Sequence, residues 1–136
     1  MKLINTLTGI TWIAIMLVAC GGIGGDPLNG TTWELYSIGS HAPISGSKTT
    51  LRFEAGQVSG LGSCNQYGGE YQINGDTLSI DKLYATEMAC MSPAGVMAQE
   101  QDFLQALGDA QRFELSEGQL QITGPEGEAL TFVPAR

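Results

Sequence analysis

Between residues 31 and 133 the chain is written in short runs where apolar and polar residues alternate, most of them closed by a glycine-containing turn. Period-two alternation marks strands with one buried face, and strands this short bury that face only by pairing with one another. In "TTWELYSI" (31–38) Trp33 and Leu35, with Ser37 beside them, share one face; Glu34, Tyr36 and Ile38 share the other. "TTLRFE" (49–54) sends Leu51 and Phe53 inward, and "AG" turns the chain into "QVSGLG" (57–62). "GGEYQI" (68–73) meets "TLSIDKL" (77–83) through "NGD", where Asn74–Gly75 is the strongest short-range hairpin signal a sequence can carry. "RFELSEGQLQITGPEGEALTFV" reads as three more strands turning at Glu117–Gly118 and Gly124–Gly127.

One segment has a different period. In "SPAGVMAQEQDFLQALGDA" Ser92 is placed as an N-cap, Pro93 as the first helical residue and Gly108 just past the end. Val96, Met97, Glu100, Phe103, Leu104 and Leu107 recur at helical spacing, and five of the six are apolar, so this helix should lie on a sheet. The expected fold is α+β: a curled, largely antiparallel sheet of about eight strands packed on one α-helix.

The first residues belong to something else. "MKLIN" carries one Lys, and "LTGITWIAIMLVA" (7–19) is uncharged and mostly apolar, which describes a secretory signal peptide rather than a membrane span. Leu17, Val18, Ala19 and Cys20 resemble the bacterial lipobox, in which the signal is cut before a cysteine that becomes the acylated N-terminus. Residues 1–19 are thus expected to be a lipoprotein signal and Cys20 the lipidated residue. Residues 20–30, with "GGIGGDPLNG", read as a flexible tether, and 31–134 as the folded domain. Gly21 follows Cys20 and no Asp does, which by the same resemblance favours the outer membrane, facing the periplasm. The expected location is the cell envelope, held through acyl chains worth ~0.8 kcal/mol per buried methylene.

Charge limits the partners. Of six basic residues Lys2 leaves with the signal, so five face fourteen acidic ones and the formal net charge moves from −8 to −9. That balance repels phosphate and argues against nucleic acid and against adhesion to anionic head groups. The expected partners are the membrane, through the N-terminal lipid, and an unidentified envelope protein or a small apolar ligand, with the chain itself monomeric.

Three cysteines look odd for an exported chain until Cys20 is taken by lipid, leaving Cys64 and Cys90. In an oxidising compartment two cysteines pair by default. Two free structural thiols are the main alternative. A nucleophilic Cys64 would need a base, and the only histidine, His41, lies in a Gly/Ser/Pro loop. A metal site from Cys64, Cys90 and His41 lacks a fourth ligand and any ligand-like spacing, so no metal and no cofactor are expected. The glycine-rich stretches "GGIGG" and "GLGSCN" do not open a helix after a strand, so neither is a phosphate cradle. Asn65 beside Gly68 and Gly69 suits a tight turn or a binding loop. Tyr67 and Tyr71 suit core pairs or a ligand lining, and so do Trp33, Tyr36 and Tyr84. Glu100 falls on the helix's apolar stripe, as an edge residue or as a partly buried carboxylate facing a groove.

These residues resemble the META/HslJ domain family over about residues 29–133. The carriers are "GTTWELYSI", "LRFEAGQVSGLGSCNQYGGEY", "LSIDKLYATEMAC", "EQDFLQAL" and "LQITGPEGEALTF". The G-x-x-G-C-N-x-x-x-G-x-Y pattern reads Gly60, Cys64, Asn65, Gly69 and Tyr71, with Ser63 where the family usually has Gly. T-x-M-A-C reads Thr86, Met88, Ala89 and Cys90. The resemblance implies a small α+β domain whose antiparallel sheet wraps a helix, in an envelope protein linked to heat or antibiotic stress. It implies no activity and no catalytic residue. The expected function is therefore non-catalytic: support of envelope integrity or stress resistance through binding a partner. A carrier of a small apolar ligand between sheet and helix is the alternative, and a cysteine-dependent redox or hydrolytic enzyme a remote one.

Overall fold

Strand pairing runs without a break around the sheet. The computed structural model describes residues 24–136, so the expected signal peptide, residues 1–19, and the expected lipidation site, Cys20, lie outside the described residues. The elements are β1 (Thr32–Ile38), β2 (Thr50–Glu54), β3 (Gln57–Leu61), β4 (Gln66–Asn74), β5 (Thr77–Ala85), α1 (Val96–Gly108), β6 (Arg112–Ser116), β7 (Gln119–Thr123) and β8 (Ala129–Pro134). Each strand pairs antiparallel with the next, and β8 returns to β1, so the expected curled sheet is a closed barrel. Strands alternate direction, so their connections alternate between two ends. The lower end carries the start of β1, the turns at 55–56, 75–76 and 117–118, and the C-terminus. The upper end carries the loops at 39–49 and 62–65, the excursion 86–111 with α1, and the turn at 124–128.

The alternation read from the sequence fills the barrel. Trp33 and Leu35, Leu51 and Phe53, Leu120 and Ile122, and Leu130 and Phe132 are all buried, while Tyr36 on the opposite phase is 60% exposed. Tyr84 is also outside, at 70% exposure, so these two tyrosines are not core residues. The Tyr84 ring covers Gly68 on the neighbouring strand, where any Cβ would run into its hydroxyl. Gly60 answers a different demand: a Cβ there would collide with the Thr50 carbonyl, the same oxygen that accepts the Tyr67 hydroxyl at 2.6 Å.

The barrel is weakest between β5 and β6. Only Thr77 and Arg112 pair there, whereas β4 and β5 share a long ladder. Lys82 adopts a left-handed φ of 54° where the β4–β5 register shifts opposite Gly69. Helix α1 packs against β5 and β8. Phe103 and Leu107 are fully buried, and the Phe103 ring meets Tyr67 and Phe132 edge-on, with centroids 5.5 and 6.3 Å away.

Two features differ from the sequence reading. The helix starts at Val96 after Gly95 at φ 84°, not at Pro93, and no side chain caps it; Gly108 is its last residue rather than its stop. The fold also starts earlier than Thr31. Leu28 is fully buried in the core, and Asp26 holds the entry: its Oδ1 accepts the Leu28 N–H at 2.8 Å and its Oδ2 accepts the Tyr71 hydroxyl. Asn29 Oδ1 accepts the Ala55 N–H at 2.8 Å, tying the same segment to the lower end.

Tyr67 and Tyr71 give the fold a pH limit. Burial pushes the Tyr67 hydroxyl well above the usual tyrosine range; burial, and then the Asp26 carboxylate, do the same for Tyr71. A raised folded pKa stabilises the fold fully below the unfolded value of about 10, and that stabilisation is lost as pH climbs toward the folded value. The urea midpoint should fall steadily above about pH 10, and less steeply in Tyr67→Phe. A midpoint unchanged from about pH 9 to about pH 12 would contradict this.

Candidate functional site: the clamped upper end

The first turns of α1 carry two polar residues inward, Gln99 and Glu100, and each ties a loop to the helix. Glu100 is 4% exposed. Its Oε2 accepts the backbone N–H of Cys64 at 2.8 Å and of Asn65 at 2.6 Å, and its Oε1 accepts Nδ2 of Asn65 at 2.6 Å. No cation faces this carboxylate among the described ion pairs; three N–H donors hold it instead. Gly62 is small for this reason, since a Cβ there would stand 2.9 Å from the Glu100 carboxylate.

Asn65 passes the link onward. Its Oδ1 accepts the Met88 N–H at 2.6 Å and the Thr86 hydroxyl at 2.9 Å, and its Nδ2 also donates to the Met88 carbonyl at 3.2 Å. Both amide hydrogens and both oxygen lone pairs are thereby used. The covalent part of the clamp is the Cys64–Cys90 disulfide, with Cα atoms 5.9 Å apart and a sequence separation of 26. The expected pairing is therefore present. Both thiols are consumed in it, so neither Cys64 nor Cys90 is a free nucleophile in this state. Replacing both cysteines by Ala should cost roughly 3–4 kcal/mol on the chain-entropy model. A thermal melt of the double variant that matches the parent would show that the hydrogen bonds alone carry the clamp.

Gln99 is the residue sequence reasoning missed. Its Oε1 accepts the Ile44 N–H at 2.7 Å, and its Nε2 donates to the hydroxyls of Ser47 and Ser63, each at 2.9 Å. The 39–48 loop is thus held against α1. Ser63 and Thr49 share a further bond at 2.6 Å. Ser63 sits at φ 110°, a conformation that suits glycine, and its hydroxyl joins Gln99 and Thr49. The signal for Gln99 was its phase: it lies three residues after Val96 and four before Phe103, inside the buried arc.

Of the four expected binding residues, Asn65 and Glu100 meet in one buried network, while Tyr67 and Tyr71 lie inside the barrel with hydroxyls on Thr50 and Asp26. Every buried side-chain polar atom among the described residues has a partner. Two features at the upper end do face outward. The first is a groove of about 790 Å³ between the 39–48 loop, α1 and the 124–128 turn. Ile38, Ala42, Ile44, Ala106 and Pro125 contribute its apolar lining, Asp102, Asp109, Glu126 and Glu128 its carboxylates; His41 lines it and neither cysteine does. The second is a set of methionines on and beside the clamped segment: Met88 is 54%, Met91 91% and Met97 39% exposed. Met97, expected on the buried stripe, instead turns its sulfur to the Cys90 N–H at 3.4 Å. No group of three or more metal-ligating side chains occurs among the described residues.

Three solved structures share this architecture. An NMR structure of a protein from Burkholderia xenovorans has a TM-score of 0.66 at 26% identity, covering 97% of this chain and 99% of that one. A second NMR structure has a TM-score of 0.64 at 20% identity over 79% of this chain and 91% of that one. A crystal structure of a DUF4847 family protein from Bacteroides vulgatus has a TM-score of 0.56 at 13% identity, over 79% and 94%. The last two are similar in fold alone. Comparison with curated proteins found no match. The family model for the META domain matches residues 26–136, beginning at the aspartate that starts the fold and taking in the whole barrel, helix and clamp, and the chain belongs to the META domain family.

Proposed function

We propose that this META-domain chain is a lipid-anchored envelope protein that does no chemistry of its own and acts by binding another protein at the upper end of its barrel, in support of envelope integrity under stress. One observation carries the reading: Met88, Met91 and Met97 stand exposed on and next to a segment pinned by a disulfide and by Asn65. Thioether side chains adapt to a partner's shape, and a rigid base limits the entropy lost when they do so. The carrier alternative has little room, because Phe103, Leu107 and Phe132 fill the space between sheet and helix.

Two arms test the proposal. Cys20→Ala should release the chain from membranes into the soluble envelope fraction; persistence on carbonate-washed membranes would defeat the anchor. A photo-crosslinking residue placed at Met91 should trap one discrete envelope protein, and the adduct should disappear in Met88→Glu. The same probe at Glu114, on the barrel wall, should trap nothing; equal trapping at both positions would defeat the upper-end surface.

A further inference from the structure

We infer that the lower end of the barrel is the face turned toward the phospholipid surface that holds Cys20, with the disulfide clamp and the acidic groove pointing away from it. The inference rests on the lipid-anchor reading above and adds to it a direction.

Its first support is where the chain enters the fold. Asp26, Leu28 and Asn29 are fastened to the lower end, through the Tyr71 hydroxyl, the core and the Ala55 N–H. Cys20 precedes Asp26 by six residues. Six residues reach about 22 Å at full extension. The nine residues of β4 alone occupy roughly 30 Å of strand, or about 23 Å along a barrel axis at the usual tilt, and the upper loops and α1 extend beyond that. A link of that length fastened at the lower end does not reach past the upper end, so an inverted barrel is ruled out by length.

Charge separates the upright arrangement from one lying on its side. All three arginines of the mature chain belong to the lower end, where Asp26, Glu54, Asp76 and Glu117 offset them: Arg52 faces Thr32, Arg112 faces Thr77, and Arg136 follows the end of β8. Arg52 and Arg112 pair with Glu54 and Asp76, but these side chains are exposed, and exposed pairs are worth little, so lipid phosphates can compete for them. The upper groove carries Asp102, Asp109, Glu126 and Glu128, none of them in an ion pair among the described residues. The acyl chains supply attachment; near an anionic surface the unpaired carboxylates of the upper groove favour distance, whereas the lower end, its carboxylates balanced by arginines, is repelled less.

The test uses the full lipidated chain in vesicles of phosphatidylethanolamine and phosphatidylglycerol containing a nickel-chelating lipid. Spin labels go on Ser116→Cys at the lower end and, separately, on Glu126→Cys at the upper end, with circular dichroism confirming that each variant folds. Flotation with the vesicles is read first: a chain that does not float defeats the anchor, and this inference with it. For a chain that floats, paramagnetic relaxation should be several-fold stronger at position 116 than at 126. Equal relaxation means a barrel on its side, and stronger relaxation at 126 an inverted one. Either result overturns the assignment while leaving the anchor intact.

Discussion

Phe103→Ala should lower stability by ~3–5 kcal/mol, the usual cost of emptying an aromatic site in a core. Phe103 lies where α1 meets the barrel, against residues of β4 and β8. Its ring is fully buried and meets Tyr67 and Phe132 edge-on. The site has little means of collapse: Tyr67 is tethered through its hydroxyl to the Thr50 carbonyl, and Phe132 sits in a strand paired on both sides. A small void would therefore persist, which puts the cost toward the upper part of the range. Leu104, one residue on and only partly buried, is the internal control; Leu104→Ala should cost clearly less. Urea titrations of the two variants decide it. A loss below about 1 kcal/mol for Phe103→Ala would mean that this ring does not anchor α1 to the barrel.

The strands were legible because each carries its own record. Trp33 and Leu35, and Leu51 and Phe53, announce an inward face by alternation alone, and Asn74–Gly75 and Glu117–Gly118 announce their turns. Closure was not legible, since nothing local in "ALTFVP" states that β8 will return to β1. The helix start was misread because Ser92–Pro93 has the chemistry of a cap, while the start is set by distant contacts. Asn65 and Cys64 pin residues 86–90, and the chain then turns at Gly95 into Val96. The same cause moved the buried arc of α1. An apolar count favours Met97 and Leu104; the structure buries Gln99 instead, because Ile44, Ser47 and Ser63 supply all its hydrogen bonds. A polar residue earns an inward position only through partners, and partners 36 to 55 residues away leave no trace in a local pattern. Glu100 was visible as an anomaly on the stripe, but its role was not.

Glu100→Ala should be about as damaging as Phe103→Ala, for a different reason. The carboxylate is the common acceptor for the Cys64 and Asn65 N–H groups and for Nδ2 of Asn65. Removing it leaves three buried donors without their acceptor, at ~1–3 kcal/mol for each one that water does not reach. Two regions would loosen together, the 62–65 turn and, through Asn65, the segment 86–88. Glu100→Gln is the sharper probe, because it keeps the volume and changes one atom. Its oxygen can still accept the two backbone N–H groups, but its amide then faces the amide of Asn65. Asn65 cannot turn over to relieve the conflict, since its Oδ1 is already held by Met88 and Thr86. The Gln variant should therefore lose about 1–3 kcal/mol and the Ala variant about 3–5 kcal/mol. Amide hydrogen exchange adds a local readout: protection should fall at Cys64, Asn65 and Met88 in both variants and stay unchanged in β7. Parent-like exchange at those three amides in Glu100→Gln would show that the disulfide alone holds the upper end, and that the buried carboxylate is incidental to it.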